Sequence, residues 1–285
     1  MSAAASLAAT AFGGIAVLLW SGLALLTAPM GRIPPLQLLA LTFAIAGAAG
    51  LVAAYVRGVC VWSEAARHPR ALALATGALA GYHFFYFLAL RNAPPAAANL
   101  LNYLWPLLIV VFAGFAGGGV RLAHAVGGAI GFCGIALLLM SGDAQWSGAH
   151  APGYAAAAAC ALIWSAYSVA NRRFRDAPVD LIKVACVATA LIGGVAHALF
   201  EETVSRGSGD WVVIVAMGPV GLAFYLWDHG TEHGRLALLG AISYAAPVLS
   251  TLWLVLAGTT QPSAALAFAA LAVAAGAGLA SLPAR

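Results

Sequence analysis

Apolar runs of about twenty residues, parted by short polar breaks, set the pattern of this chain from end to end. Ten such runs occur: 8–28, 36–57, 70–91, 95–116, 121–141, 152–173, 179–200, 210–228, 234–257 and 262–282. A helix needs about 20 apolar residues to cross the hydrocarbon core of a bilayer, so each run predicts one spanning helix. The runs are continuous rather than alternating, which argues against a β-barrel. The breaks hold most charges and turn formers, as in Arg32-Ile33-Pro34-Pro35, and none has room for a soluble domain. The expected fold class is an all-α integral membrane protein.

Composition agrees: 63% of the 285 residues are hydrophobic and only 8% are charged, against roughly 25% charged in soluble domains. The first run has no basic leader and is long enough to span, so it reads as the first membrane helix rather than a cleaved signal. With the N-terminus on the cytoplasmic side, that side collects Arg57, Arg67, Arg70, Arg121, Arg172, Arg173, Arg175, Lys183, Arg235 and Arg285. The opposite side collects only Arg32, Arg91 and Arg206. The positive-inside rule therefore predicts both termini in the cytoplasm of a cell inner (plasma) membrane. The net charge of +4 lies in these loops and not in one patch, which excludes a nucleic-acid surface. Cys60, Cys133, Cys160 and Cys186 have no metal or disulfide spacing, and no cofactor is expected.

The two halves of the pattern echo each other. Leu19-Trp20-Ser21 in the first run matches Ile163-Trp164-Ser165 in the sixth, and Tyr86 matches Trp227. Tyr103 and Pro106 match Tyr244 and Pro247, and Gly134 matches Gly276, all at a shift of about 141–144 positions. Five helices is an odd number, so a second copy of the set enters the membrane from the other side. The expectation is two inverted five-helix repeats, 1–145 and 146–285, around a central cavity, an architecture suited to alternating access.

Trp and Tyr normally gather at the membrane surfaces, yet here Trp20, Tyr82, Tyr103, Trp105, Trp164 and Tyr244 fall near mid-span, with His83 beside them. At ~1.5 Å of rise per residue they share one level of the bilayer. Rings can stack on an aromatic substrate while their N–H and O–H groups bond a zwitterion. Each could instead fill space between helices. Asn99 lies four residues before Tyr103 on the same helical face, and Asn102 is on a neighbouring stripe. Amides are costly in lipid, so both should face protein or water, as helix–helix links or as substrate contacts. Trp164, Ser168 and Asn171 form one stripe expected to face inward. Pro106 and Pro247 remove backbone bonds mid-helix, which predicts kinks there and candidate hinges. His83 is a candidate proton switch or a neutral partner of its aromatic neighbours. The nine carboxylates map to helix ends and loops, which favours facilitated movement over proton coupling. Lys183 and Arg91 are expected to snorkel. The small-residue faces Gly127, Gly131, Gly134 and Ala272, Gly276, Ala280 suit close packing, between the halves or in a homodimer.

Several motifs carry a family resemblance. They are the Trp-Ser early in each half, the Ala-rich start of the fourth run at Ala93-Pro94-Pro95-Ala96-Ala97-Ala98-Asn99, the central Pro106, and Gly127-Gly128-Ala129-Ile130-Gly131-Phe132-Cys133-Gly134. With these the chain resembles the drug/metabolite transporter superfamily and its EamA-type permeases of five plus five helices. Gly81-Tyr82-His83-Phe84-Phe85-Tyr86-Phe87 and Asn99-Leu100-Leu101-Asn102-Tyr103-Leu104-Trp105-Pro106 resemble the members that export aromatic amino acids. The resemblance implies a ten-helix basket, with helices 1–4 and 6–9 lining the cavity and 5 and 10 bracing it. It also implies export of amino acids, or of drugs and other metabolites.

Other classes fit less well. A nucleotide-sugar site would need Lys or Arg at mid-span to meet phosphate, and a cationic-drug site would want a membrane carboxylate. HExxH, GxSxG and Cys-His constellations are absent from the sequence, so an enzyme is not expected. A scaffold or sensor would have no use for the mid-plane aromatics and paired prolines.

Overall fold

The computed structural model describes residues 3–113, 115, 122–140, 148–174, 176–233, 242 and 245–280. All regular structure among these residues is helical. In chain order the helices are α1 (Ala3–Ser21), α2 (Leu23–Thr27), α3 (Pro35–Val56), α4 (Val61–Arg67), α5 (Pro69–Asn92), α6 (Pro95–Asn102), α7 (Trp105–Ala113), α8 (Leu122–Met140), α9 (Ala151–Asn171), α10 (Leu181–Phe200), α11 (Ser208–His233), α12 (Ala246–Leu256) and α13 (Ala264–Ala280). Helix satisfies backbone polar groups within the segment, the condition for lying in lipid.

Five stretches among the described residues are long and apolar enough to cross a membrane: Ala5–Met30, Pro35–Val56, Pro69–Asn92, Gly148–Asn171 and Leu181–Phe200. Large apolar side chains such as Phe132, Leu191, Val195, Val212 and Leu271 face outward, as lipid permits. The eighth run, expected at 210–228, extends as helix to His233. The break at 58–69 is not simple loop, because α4 folds within it.

The first and fourth runs are interrupted. The first turns at Gly22, one residue past Ser21, and resumes as α2. The fourth breaks at Tyr103-Leu104, just before Pro106. Leu104 N–H there bonds back only three residues, to Leu101 O at 3.2 Å. In the ninth, α12 begins at Ala246 with Pro247 in its first turn. Proline lacks the N–H that would bond the preceding turn, so the break in the fourth run falls where the sequence places it; residues 234–241, 243 and 244 ahead of Pro247 lie outside the described residues.

The main pairings are α1 with α11, α5 with α9, α3 with α10 and α8 with α13; α9 also packs on α6 and α7, and α12 on α1. Glycines let these backbones approach. A Cβ at Gly230 of α11 would come within 2.8 Å of Gly13 Cα on α1, and one at Gly276 of α13 within 2.4 Å of Gly127 O on α8. The small-residue faces of the fifth and tenth runs therefore meet each other, one half against the other.

Polar ties hold the helix ends. The Glu201 carboxylate accepts the N–H groups of Leu36 and Gln37, both at 3.1 Å, at the start of α3, where a helix dipole favours a negative charge. Asp210 pairs with Arg32, and Asp180 with Arg57 and Lys183. Lys183 does not snorkel: it is buried, its ammonium bonded to Asp180 and lying 5.3 Å from the Tyr225 ring centre.

Candidate functional site

At the middle of the helix set lies a chamber lined by Trp20, Tyr82, His83, Tyr86, Asn99, Asn102, Tyr103, Trp105, Trp164 and Phe224, closed by the aliphatic Val17, Leu23 and Ala246. The gap measures about 550 Å³ to its open margin, and the rings that wall it leave little of that clear. An aromatic amino acid would have to part the rings. A side lobe continues from it, walled by Thr42, Phe43, Phe87 and Met217 and sharing Trp20, His83 and Phe224.

The aromatic wall is one connected lattice. Trp164 sits at its centre, with ring centres 6.2 Å from Trp20, 5.5 Å from Tyr82, 5.2 Å from Tyr167 and 5.6 Å from Phe224. These rings come from α1, α5, α9 and α11, so the lattice bridges both halves of the chain. Trp20 also meets Phe224 and Trp227, each at 5.3 Å. Trp105 joins the lattice through Trp227, at 6.5 Å. Tyr82 and Tyr86, four residues apart on α5, stack with their planes 9° apart.

A polar chain runs beside the rings. The Tyr86 hydroxyl donates to Asn99 Oδ1 at 3.2 Å, and Asn99 Nδ2 donates to Ser250 Oγ at 2.6 Å. The Tyr103 hydroxyl engages the same Ser250 and Asn99 side chains. Asn99 is thus both helix link and chamber wall, tying α6 to α12. Asn102 Nδ2 donates to the Tyr82 hydroxyl at 2.9 Å. His83 bonds through Nδ1 to Leu79 O at 2.9 Å and lies among the rings of Phe43, Tyr82, Phe87 and Phe224.

Seven of the eight residues expected at the site therefore line one chamber: Trp20, Tyr82, His83, Asn99, Tyr103, Trp105 and Trp164. The eighth, Tyr244, lies outside the described residues. On the α9 stripe Trp164 faces in, but Ser168 turns back to bond Trp164 O at 2.7 Å and Asn171 is exposed at the helix end. Phe224, Trp227 and Ser250 were not foreseen at the site. The signal for the first two was the repeat itself, since Phe224 stands 141 positions after His83, as Trp227 does after Tyr86. Among the described residues no cluster of His, Cys, Asp and Glu could hold a metal ion.

A model of the EamA-like transporter family matches the chain twice, over residues 7–140 and 151–282. A curated protein of Ancylobacter novellus, aromatic amino acid exporter YddG, is 49% identical over 97% of this chain and 98% of its own length. A solved crystal structure 48% identical to the chain superposes with a TM-score of 0.77, covering 97% of this chain and 98% of that one.

Proposed function

Because this chain belongs to the EamA-like transporter family, we propose that it exports aromatic and other amino acids by alternating access through the aromatic chamber. The observation that carries the substrate class is the chamber wall. Trp20, Tyr82, Trp105 and Trp164 offer ring faces for an aromatic side chain, and amide, hydroxyl and imidazole groups offer uncharged hydrogen bonds for the amino acid's two ionic ends. The 49% identity to an aromatic amino acid exporter points the same way. The family makes the chain a transporter and not an enzyme.

The packing supports two inverted five-helix repeats, 1–145 and 146–285. Exchanging the first helix for the sixth, the second for the seventh and so on turns the α1–α11 pair into the α9–α5 pair. It turns α12 against α1 into α7 against α9, and leaves α3–α10 and α8–α13 unchanged. The double match of the family model fits the same division. In the mechanism we propose, the halves rock about the chamber, and Pro106 and Pro247 act as hinges. Movement is facilitated rather than proton-coupled, and a homodimer is compatible with the outward-facing apolar surface. Proteoliposomes holding the full chain should take up labelled Phe and Trp down their gradients, and an imposed pH gradient should add no accumulation. Pro106→Ala should slow this flux severalfold at equal protein content. Absence of Phe and Trp flux would refute the assignment.

We place both termini in the cytoplasm, which puts Cys60 on the cytoplasmic face. The backbone N–H and then the hydroxyl of Ser63 hold the exposed Cys60 thiol below its ordinary range, favouring the reactive thiolate. A charged maleimide should label Cys60 in inside-out vesicles and spare it in intact cells. Cys133, on the outward face of α8, should stay unlabelled in lipid. The reverse labelling of Cys60 would invert the topology.

A further inference from the structure

Resting on the amino acid reading above, we propose that Asn102 is the specificity-determining residue that recognises the substrate's α-ammonium group, through its side-chain carbonyl. Asn102 is buried in the chamber wall, 3% exposed. Its Nδ2 is spent on the Tyr82 hydroxyl, but its Oδ1 is buried and has no hydrogen-bond partner among the described residues. Buried polar atoms are nearly always bonded, and one that is not calls for an explanation. In the wall of a substrate chamber, a lone acceptor awaits a donor that comes and goes.

A second acceptor shares the chamber. Leu79 O can only accept, so the proton of a neutral His83 ring lies on Nδ1 and the lone pair on Nε2. No described residue donates to Nε2. Other rings of the chamber bring the other polarity, because the indoles of Trp20, Trp105 and Trp164 are donors only and can meet the carboxylate. Both poles are uncharged. An amino acid enters as a zwitterion and exchanges water for dipoles of matching sign, whereas a deaminated acid leaves the Asn102 carbonyl unsatisfied.

The test is equilibrium binding to the purified full chain, read by indole fluorescence, with three ligands: L-Phe, 3-phenylpropanoate, which lacks the ammonium, and 2-phenylethylamine, which lacks the carboxylate. A hydrogen bond to a charged group governs about a tenfold or larger ratio. The wild type should bind Phe at least about tenfold more tightly than 3-phenylpropanoate. In Asn102→Leu that ratio should fall towards one, through weaker Phe binding with 3-phenylpropanoate unchanged. Asn102→Asp keeps an acceptor oxygen while losing the donor to Tyr82, so it should retain the preference. Should Asn102→Leu fail to fold, the wild-type ratio and Asn102→Asp still decide.

Three results would overturn the proposal: a wild type that binds the deaminated acid as well as Phe, a ratio unmoved in Asn102→Leu, or a loss of discrimination against 2-phenylethylamine instead. The last would make Asn102 a carboxylate donor. A wild type that binds none of the three ligands would overturn the amino acid reading itself.

Discussion

Trp164→Ala should lower aromatic amino acid flux in proteoliposomes by about tenfold or more at equal protein content. Each aromatic pair contributes about 0.5–1.5 kcal/mol beyond buried area, and Trp164 makes four, to Trp20, Tyr82, Tyr167 and Phe224. Losing even two such contacts with a bound ring is worth about a factor of ten, since about 1.4 kcal/mol changes an equilibrium tenfold. The alanine also leaves a void at the junction of α1, α5, α9 and α11, so the chamber loses shape as well as surface. Trp164→Phe keeps a ring there and should retain most of the flux. Trp105→Ala should cost less, because among the described rings Trp105 meets only Trp227, at 6.5 Å. Equal flux from Trp164→Ala and the wild type would remove the chamber from the transport path.

The lattice around Trp164 also shows what a sequence of this kind reveals. Depth along a span is legible, because rise per residue is fixed, and seven residues chosen by depth line one chamber. The break before Pro106 was legible because proline's missing N–H acts locally. Direction around a helix is harder to read. In lipid the outer face is apolar too, so Phe224 in the wall looks no different from Phe132 on the surface. A soluble helix betrays its buried side by the contrast between an apolar stripe and a polar one, and a lipid-facing helix has no such contrast to read. Lys183 was misread for a related reason: its burial depends on Asp180 of its own helix cap and on Tyr225 of another helix, a pairing no local pattern announces. The unpartnered oxygen of Asn102 is visible only once all its neighbours are in position.

The largest loss of stability should come from Gly276→Leu, far from the chamber. A Cβ at Gly276 would lie 2.4 Å from Gly127 O and 2.9 Å from Gly131 N, inside van der Waals contact with backbone atoms of α8. Side chains can rotate away from an intruding group; the backbone of a helix cannot do so without moving the helix. Overpacking a core costs typically about 1–3 kcal/mol, and a whole leucine against two backbone segments should exceed that range. Close packing is also what holds helices together in lipid, where burial of apolar surface gives no advantage over the acyl chains. The α8–α13 seam joins the first half to the second, so forcing it apart should lower the thermal midpoint of the detergent-purified protein by about ten degrees, with Gly276→Ala showing a smaller drop. Gly77, in mid-α5, provides the contrast. Nothing lies within 4 Å of a Cβ built there, and alanine is the better helix former by about 1 kcal/mol, so Gly77→Ala should leave the midpoint unchanged or raise it. Size-exclusion profiles after a heating series separate these outcomes. A Gly276→Leu protein as heat-resistant as the wild type would mean that α8 and α13 are not in backbone contact, and that the two halves meet in some other way.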